Sequence, residues 1–449
     1  MKKTLLTLIT ILVVTATSAQ KYVGGDISLL TKYETNGAKY FDLDGNPITD
    51  MLGFFKQQGL NSMRVRLFVD PTKSGDIAAC QDLNYVKALG KRIKDAGFSL
   101  MLDFHYSDTW ADPGKQWTPD AWKSLTNEQL YDKIYEYTKD CLEQMVAAGA
   151  APDFIQPGNE ISYGMLWGTE AAAKGNNTNR CYTSSPEANW TRFISLLKQA
   201  GKACREVCKD AKIILHSERV AKPSVLTDFL DRMQAAAVDY DIIGLSYYPY
   251  HHGFLPQLET ALNTVEGKNY GKDIMIVETG YYYAWQPAMK SDTNPDGIDY
   301  DYSGTYPITP TGQQAFTKAL IELLNKHEQV KGCYWWWMEA SENGLDWYTQ
   351  RVSEGWYNAS LFNDDEKVKG KDGITYNYPA GKAMPAIAEL KNFAGSTGIE
   401  TVKSENLKPQ SDSWYTLDGR RLETSNLKTQ NSKLRKGIYI HNGKKVIVR

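Results

Sequence analysis

The chain has 449 residues, 42% of them hydrophobic, so it can bury a full core and reads as globular. Lys and Arg total 51 against 53 for Asp and Glu, so no strong field draws the protein to nucleic acid, an anionic membrane or an acidic polymer, and a neutral partner fits better. With 12 Trp and 28 Tyr the chain is rich in flat rings on which sugars stack, although a core also uses such rings.

Met1-Lys2-Lys3, the apolar run from Leu5 to Val14 and Thr17-Ser18-Ala19 make up the three regions of a secretory signal peptide. Residues 1–19 are therefore expected to be removed, with export to the periplasm, the cell surface or the medium. No cysteine follows the run as a lipid anchor would require, and no later stretch is long and apolar enough to span a bilayer. Cys80, Cys141, Cys181, Cys204, Cys208 and Cys333 are scattered and do not decide the redox state. Cys204 and Cys208 lack the partner spacing of a zinc site.

From Tyr22 onward, short β-branched or apolar runs alternate with longer amphipathic stretches. The runs are Tyr22–Ser28, Ser62–Phe68, Phe98–Phe104, Asp153–Pro157, Lys212–His216, Asp241–Ser246, Asp273–Val277 and Gly332–Trp337. The helical stretches between them include Thr49–Gln58, Leu83–Ala96, Asn127–Ala148, Glu187–Cys208, Lys222–Ala236 and Gly312–His327. Eight βα repeats point to a closed parallel (β/α)8 barrel spanning residues 20–394. A doubly wound sheet would often carry a Gly-rich phosphate turn, which is absent here. Residues 395–411 read as a linker. Residues 412–449 read as small β-hairpins around Asp418-Gly419 and Asn442-Gly443. This tail resembles the C-terminal modules of many secreted proteins of the Bacteroidetes, some of which are sorting signals; a short capping hairpin is the alternative.

In a barrel, all strand C-termini gather on one face, where such folds place their chemistry. Two glutamates stand there: Glu160 in Pro157-Gly158-Asn159-Glu160 after the fourth run, and Glu278 in Val277-Glu278-Thr279-Gly280 after the seventh. Retaining hydrolysis of a glycosidic bond needs two carboxyl groups about 5–5.5 Å apart, one protonated and one ionised. Either glutamate alone reads as well as a salt bridge or helix cap.

Asp103-Phe104-His105-Tyr106-Ser107-Asp108-Thr109-Trp110-Ala111-Asp112-Pro113-Gly114-Lys115-Gln116 resembles the signature segment of glycoside hydrolase family 53, the endo-β-1,4-galactanases. Gly25-Asp26-Ile27-Ser28, Lys39-Tyr40-Phe41-Asp42 and the stretch from Arg64 to Pro71 resemble that family's opening, and the likeness covers about residues 22–390. The resemblance implies a retaining enzyme acting on the β-1,4-galactan of type I arabinogalactan, with Glu160 as acid/base and Glu278 as nucleophile. It implies no cofactor for the chemistry. In a substrate-binding set of Asp26, Arg66, His105, Asp108, Trp110, Asn159, Tyr248 and Trp336, Asn159 would donate to the sugar 2-hydroxyl. Arg66 would hold the nucleophile ionised, or make an ordinary salt bridge. His105 and Asp108 would contact hydroxyls or brace the loop. Trp336, the middle of three tryptophans, would floor the reacting subsite by stacking. Trp117 and Tyr247 are further subsite candidates, at least one tyrosine being core. The family often holds calcium after the seventh strand, where Asp292, Asn294, Asp296, Asp299 and Asp301 offer oxygen ligands or form an acidic solvated loop. The chain is expected to be a monomer. β-Mannanases, cellulases and xylanases would use the same two glutamates, and a non-catalytic glycan-binding protein is the reading from another class.

Overall fold

Strand and helix alternate along the computed structural model, which describes residues 20–170, 179–283, 304–340, 359–363 and 381–393, together with the short strands named below. Eight parallel strands form the closed barrel: β1 (Tyr22–Asp26), β2 (Ser62–Leu67), β3 (Ser99–Phe104), β4 (Phe154–Pro157), β5 (Lys212–Ser217), β6 (Ile242–Tyr247), β7 (Asp273–Thr279) and β8 (Val330–Trp335). β1 closes the ring, pairing with β8 from Tyr22 opposite Gly332 and with β2 from Gly24 opposite Ser62. The closure needs a glycine: a Cβ on Gly24 would fall 1.6 Å from the Ser62 carbonyl oxygen. All eight expected runs are strands. The first stops at Asp26 because its carboxylate turns to accept the Ser28 N–H at 3.0 Å, which ends the extended backbone.

Among the described residues, the helices longer than four residues are α1 (Leu30–Thr35), α2 (Met51–Gln57), α3 (Leu83–Asp95), α4 (Asn127–Ala147), α5 (Glu187–Val207), α6 (Pro223–Ala235), α7 (Leu255–Lys268) and α8 (Pro310–Leu324). Their starts carry chemistry that the sequence displays. Asp50, Asp82, Thr126 and Thr309 accept backbone N–H groups as caps, and Thr126 with Gln129 forms a reciprocal capping box, each cap contributing about 1 kcal/mol. In α3 the buried positions Val86, Leu89, Gly90 and Ile93 recur at helical spacing and turn one face to the barrel.

Inside the barrel, alternate residues of each strand point to the axis. One layer is apolar, with Met101, Phe154, Ile214, Met275 and Tyr334 packed together. Two residues further along β3, β4 and β5 stand Asp103, Gln156 and His216, all fully buried. The pattern switches from apolar to polar within single strands, and that switch marks the floor of the site.

Ile399–Val402, inside the stretch expected to be a linker, pairs in parallel with Lys444–Val448. The same five-stranded sheet continues through Gly437–His441, Trp414–Thr416 and Arg421–Leu422. The expected hairpins are thus parts of one sheet, and Ile399-Glu400-Thr401-Val402 has a strand's β-branched content amid polar neighbours. Two antiparallel pairs, Tyr40–Phe41 with Pro47–Ile48 and Lys367–Lys369 with Thr375–Asn377, complete the described strands. Residues 1–19, the expected signal peptide, lie outside the described residues. Among those described, no helix is long and apolar enough to cross a membrane.

Candidate active site

A cleft of about 410 Å³ opens at the C-terminal ends of the strands, and Glu160 and Glu278 both line it. β7 delivers Glu278 from within its own extended backbone. Glu160 arrives differently. β4 ends at Pro157, Gly158 takes a φ of 104°, and Glu160 itself sits in the left-handed region at φ 50° and ψ 55°. A non-glycine residue there costs on the order of 1–3 kcal/mol, and fixed partners hold it in place. Its N–H donates to His216 Nδ1 at 3.1 Å, and Oε1 accepts from Ser246 Oγ at 2.7 Å. His216 Nδ1 also faces the Gln156 amide nitrogen at 2.9 Å, so it is an acceptor, and its Nε2 is left to donate to Ser246 Oγ at 2.8 Å. Burial holds the His216 pKa well below the ordinary imidazole value, consistent with this neutral tautomer. A relay from β5 through β6 therefore aims the Glu160 carboxyl.

Glu278 has different company. Its Oε1 lies 2.8 Å from Arg64 Nη2, and Tyr248 OH donates to its Oε2 at 2.9 Å. Ser246 Oγ is 3.5 Å from the same Oε2, so one hydroxyl lies between both carboxyls. Burial raises both carboxyl pKa values above the usual range. Glu160 is raised well above it, because after burial its main influences are the like charges of Glu278 and Glu218. At Glu278 the Arg64 guanidinium and the Tyr248 hydroxyl oppose the effect of burial. These surroundings favour the protonated form more strongly at Glu160 than at Glu278.

The cation beside Glu278 is Arg64, and not Arg66 as expected. Both are fully buried, two apart on β2 and inward-facing. Arg64 sits in a ring of acceptors, 3.1 Å from Asp26, 2.7 Å from Asp103 and 3.0 Å from Asn159 Oδ1. Arg66, one layer nearer the mouth, pairs with Asp26 at 3.0 Å, and its guanidinium carbon lies 4.6 Å from the Trp110 ring and 4.8 Å from the Trp336 ring. Its charge supports aromatic walls.

Of the expected substrate-binding set, Trp110, Asn159, Tyr248 and Trp336 line the cleft. Asn159 also uses one amide N–H on the Ala111 carbonyl at 2.8 Å, fixing the loop after β3. Asp26 does not reach the cleft: it is fully buried beneath it between the two arginines. His105 braces the loop, its Nδ1 accepting the Ala111 N–H at 3.0 Å while Nε2 faces Asp103 at 3.1 Å. Asp108 braces it too, accepting the N–H groups of Asp70 at 3.1 Å and Asp120 at 2.8 Å. Loop carboxylates are drawn to unpaired backbone donors, and Asp108 is not among the residues that line the cleft. Trp337 joins Trp336 in the cleft because β8 ends at Trp335 and Trp337 turns left-handed at φ 52°, breaking the alternation. Tyr247 is core, stacked on Phe316, and Trp117 packs edge-on to Trp167.

Sequence reasoning missed Asp76, which accepts Trp110 Nε1 at 2.8 Å, and the Gln156, His216 and Ser246 relay. The legible signal for the relay was polar residues breaking strands that otherwise alternate apolar. The candidate calcium ligands Asp292, Asn294, Asp296, Asp299 and Asp301 lie outside the described residues, and among those described no group of three or more His, Cys, Asp or Glu could hold an ion.

The family model described as glycosyl hydrolase family 53 matches residues 22–370. The chain is 30% identical over 367 residues to an endo-β-1,4-galactanase of Bacillus subtilis, covering 78% of each chain. It is 31% identical over 365 residues to an arabinogalactan endo-β-1,4-galactanase of Cellvibrio japonicus, covering 77% of this chain and 87% of that one. Among solved structures, the GH53 catalytic domain of Ignisphaera aggregans matches with a TM-score of 0.69 at 30% identity, over 84% of this chain and 96% of its own. The match runs from the first barrel strand past the last and takes in both cleft glutamates, and on it the chain belongs to glycosyl hydrolase family 53.

Proposed function

We propose that the protein is a retaining endo-β-1,4-galactanase acting on the galactan of type I arabinogalactan, with Glu160 as acid/base and Glu278 as nucleophile. The observation that carries the stereochemistry is the hydroxyl shared by the two carboxyls, Ser246 Oγ, at 2.7 Å from one and 3.5 Å from the other. A single hydroxyl that reaches both carboxyls brings their nearest oxygens close, which fits the roughly 5–5.5 Å spacing of retaining glycosidases better than the roughly 6.5–9.5 Å that inverting ones leave for a water.

In the first step Glu278 attacks the anomeric carbon while Glu160 gives its proton to the departing glycosidic oxygen, leaving a galactosyl-enzyme ester and an ionised Glu160. In the second, Glu160 takes a proton from water, the resulting hydroxyl displaces Glu278, and the product keeps the β configuration. Arg64 and Tyr248 hold the nucleophile oriented, Asn159 meets the sugar beside it, and Trp336 offers a flat apolar surface below the ring. Carboxyl groups and water suffice for this chemistry without a cofactor. The galactanase relatives support the polymer assignment.

The test is product release from unbranched β-1,4-galactan beside mannan, xylan and cellulose, followed over time by chromatography, with the first product's anomer read by proton NMR. Short galacto-oligosaccharides, formed early as the β anomer and from galactan alone, are expected. Release from another polymer would reassign the substrate, an initial α anomer would overturn retention, and silence on all four would favour a glycan-binding protein.

A further inference from the structure

A second hollow, of about 400 Å³, adjoins the cleft. The wall between them is a cluster of three polar side chains. Ser162 Oγ donates to Glu218 Oε1, and Arg219 Nε lies 2.8 Å from that carboxylate oxygen and 2.9 Å from Ser162 Oγ. Glu218 lines the cleft, whereas Ser162 and Arg219 line the hollow. Ser162 and Tyr163 follow Glu160 by two and three residues, so the hollow opens on the Glu160 side of the reaction centre.

Its aromatic surface is built before any ligand arrives. The Arg219 guanidinium carbon lies 3.6 Å from the Tyr163 ring centroid, and Tyr163 meets Tyr182 edge to face at 4.7 Å. Tyr182 is 39% exposed, one of only two large hydrophobic side chains so open among the described residues. It is held firmly all the same: its N–H donates to Ser185 Oγ at 2.8 Å, its carbonyl accepts from Trp190 Nε1 at 3.2 Å, and its hydroxyl accepts from Arg180 at 3.0 Å. An exposed ring fixed in this way loses little freedom on binding. Thr183, Ser184 and Asp228 add polar groups to the lining. A pyranose fits such a surface, with its C–H face on the ring and its hydroxyls toward the polar groups.

We infer that this hollow is a carbohydrate-binding site for the leaving half of the galactan chain, beyond the first departing sugar, with Tyr182, backed by Tyr163, as its stacking surface. The direction follows from the chemistry and rests on the assignment of Glu160 as the acid. The acid protonates the oxygen of the departing sugar, so the fragment that carries the reducing end leaves on the Glu160 side, past Glu218 and toward the hollow.

The test compares wild type with Tyr182→Ala, which removes the exposed ring, and Ser184→Trp, which fills the hollow. The substrates are galactohexaose labelled at its reducing end and an aryl β-galactobioside, whose leaving group ends at the scissile bond. In both variants the ratio of kcat/KM on hexaose to that on the aryl substrate should fall about fivefold or more, the worth of one ring–sugar contact. The cleavage point should move toward the reducing end, because fewer sugars are held beyond the bond that breaks. An unchanged ratio and cleavage point would overturn the inference, as would equal losses on both substrates. A wild-type enzyme that hydrolyses the aryl substrate but leaves hexaose and galactan intact would instead sink the endo-galactanase reading itself.

Discussion

Glu160 and Glu278 are chemically identical side chains in different surroundings, and substitution tests the opposite tasks proposed for them. Glu160→Ala removes the proton donor, so turnover of galactan should fall by about 10²–10⁴, while an aryl galactoside whose leaving group needs no proton should still form the galactosyl-enzyme. Added azide should then rescue that variant and give the β-galactosyl azide. Glu278→Ala leaves no nucleophile, so both substrates should fail, and azide should enter from the nucleophile's face to give the α-galactosyl azide. The anomer of each azide, read by NMR, decides: reversed anomers would exchange the roles, and wild-type turnover in either variant would remove that residue from the mechanism. Both glutamates were legible from their strand ends. The partner of the nucleophile was not, because Arg64 and Arg66 share a face of β2 and a period-two pattern cannot tell which layer meets Glu278. Asp26 and Asp108 misled in the same way, since a carboxylate near a strand end reads alike whether it faces sugar, an arginine or a backbone N–H.

The turn after β4 converts a strand into an aiming device, and its strain is concentrated at two residues. Gly158 has a φ of 104°, and a Cβ there would lie 2.6 Å from Ile161 Cγ2. Gly158→Ala should therefore cost on the order of 1–3 kcal/mol and also displace Glu160 from Ser246 and His216. We expect kcat on galactan to fall at least tenfold at temperatures well below a modestly lowered Tm, because misplacing a proton donor by about 1 Å can cost 10²-fold. Paired kinetics and thermal melts check this; a lowered Tm with unchanged kcat would mean that the turn supports the fold without aiming the acid. The barrel strands were readable because each is a short apolar run closed by polar residues. α7 lies where the βα repeat requires a helix, and its Leu258, Ala261, Leu262 and Val265 keep helical spacing. α1 has no capping side chain and only six residues, so little in its sequence announces it. The strand at Ile399–Val402 depends on a partner more than forty residues later, which no local pattern could supply.

Among the described residues, the interior carries more carboxyl groups than cations to match them, which favours their protonated forms. Two arginines, Arg64 and Arg66, are buried beneath the cleft among Asp26, Asp103 and Glu278, with Glu160, Glu218 and Glu339 buried nearby. Burial, reinforced by the Asp26 charge, pushes the Glu339 carboxyl from 4.5 to about 8, and burial also raises Glu160, Glu218 and Glu278. For an acid whose folded pKa is raised, the native state binds more protons than the unfolded one between the two values, so stability falls as pH rises through that window. For Glu339 the window runs from 4.5 to about 8, and by pH 7 the loss is on the order of 3 kcal/mol. Glu339→Gln tests this without touching a cleft residue. Gln can still accept the Leu29 N–H through Oε1, as Glu339 does at 2.8 Å, but it has no proton to lose. Melts at a fixed scan rate should therefore show the variant a few degrees above wild type at pH 8 and no more stable at pH 4, which lies below both values. A variant destabilised equally at both pH values would mean that Glu339 titrates normally in the fold. The same burial raises Glu160, so the protonated acid proposed for the first step and the loss of stability at alkaline pH would share one physical origin.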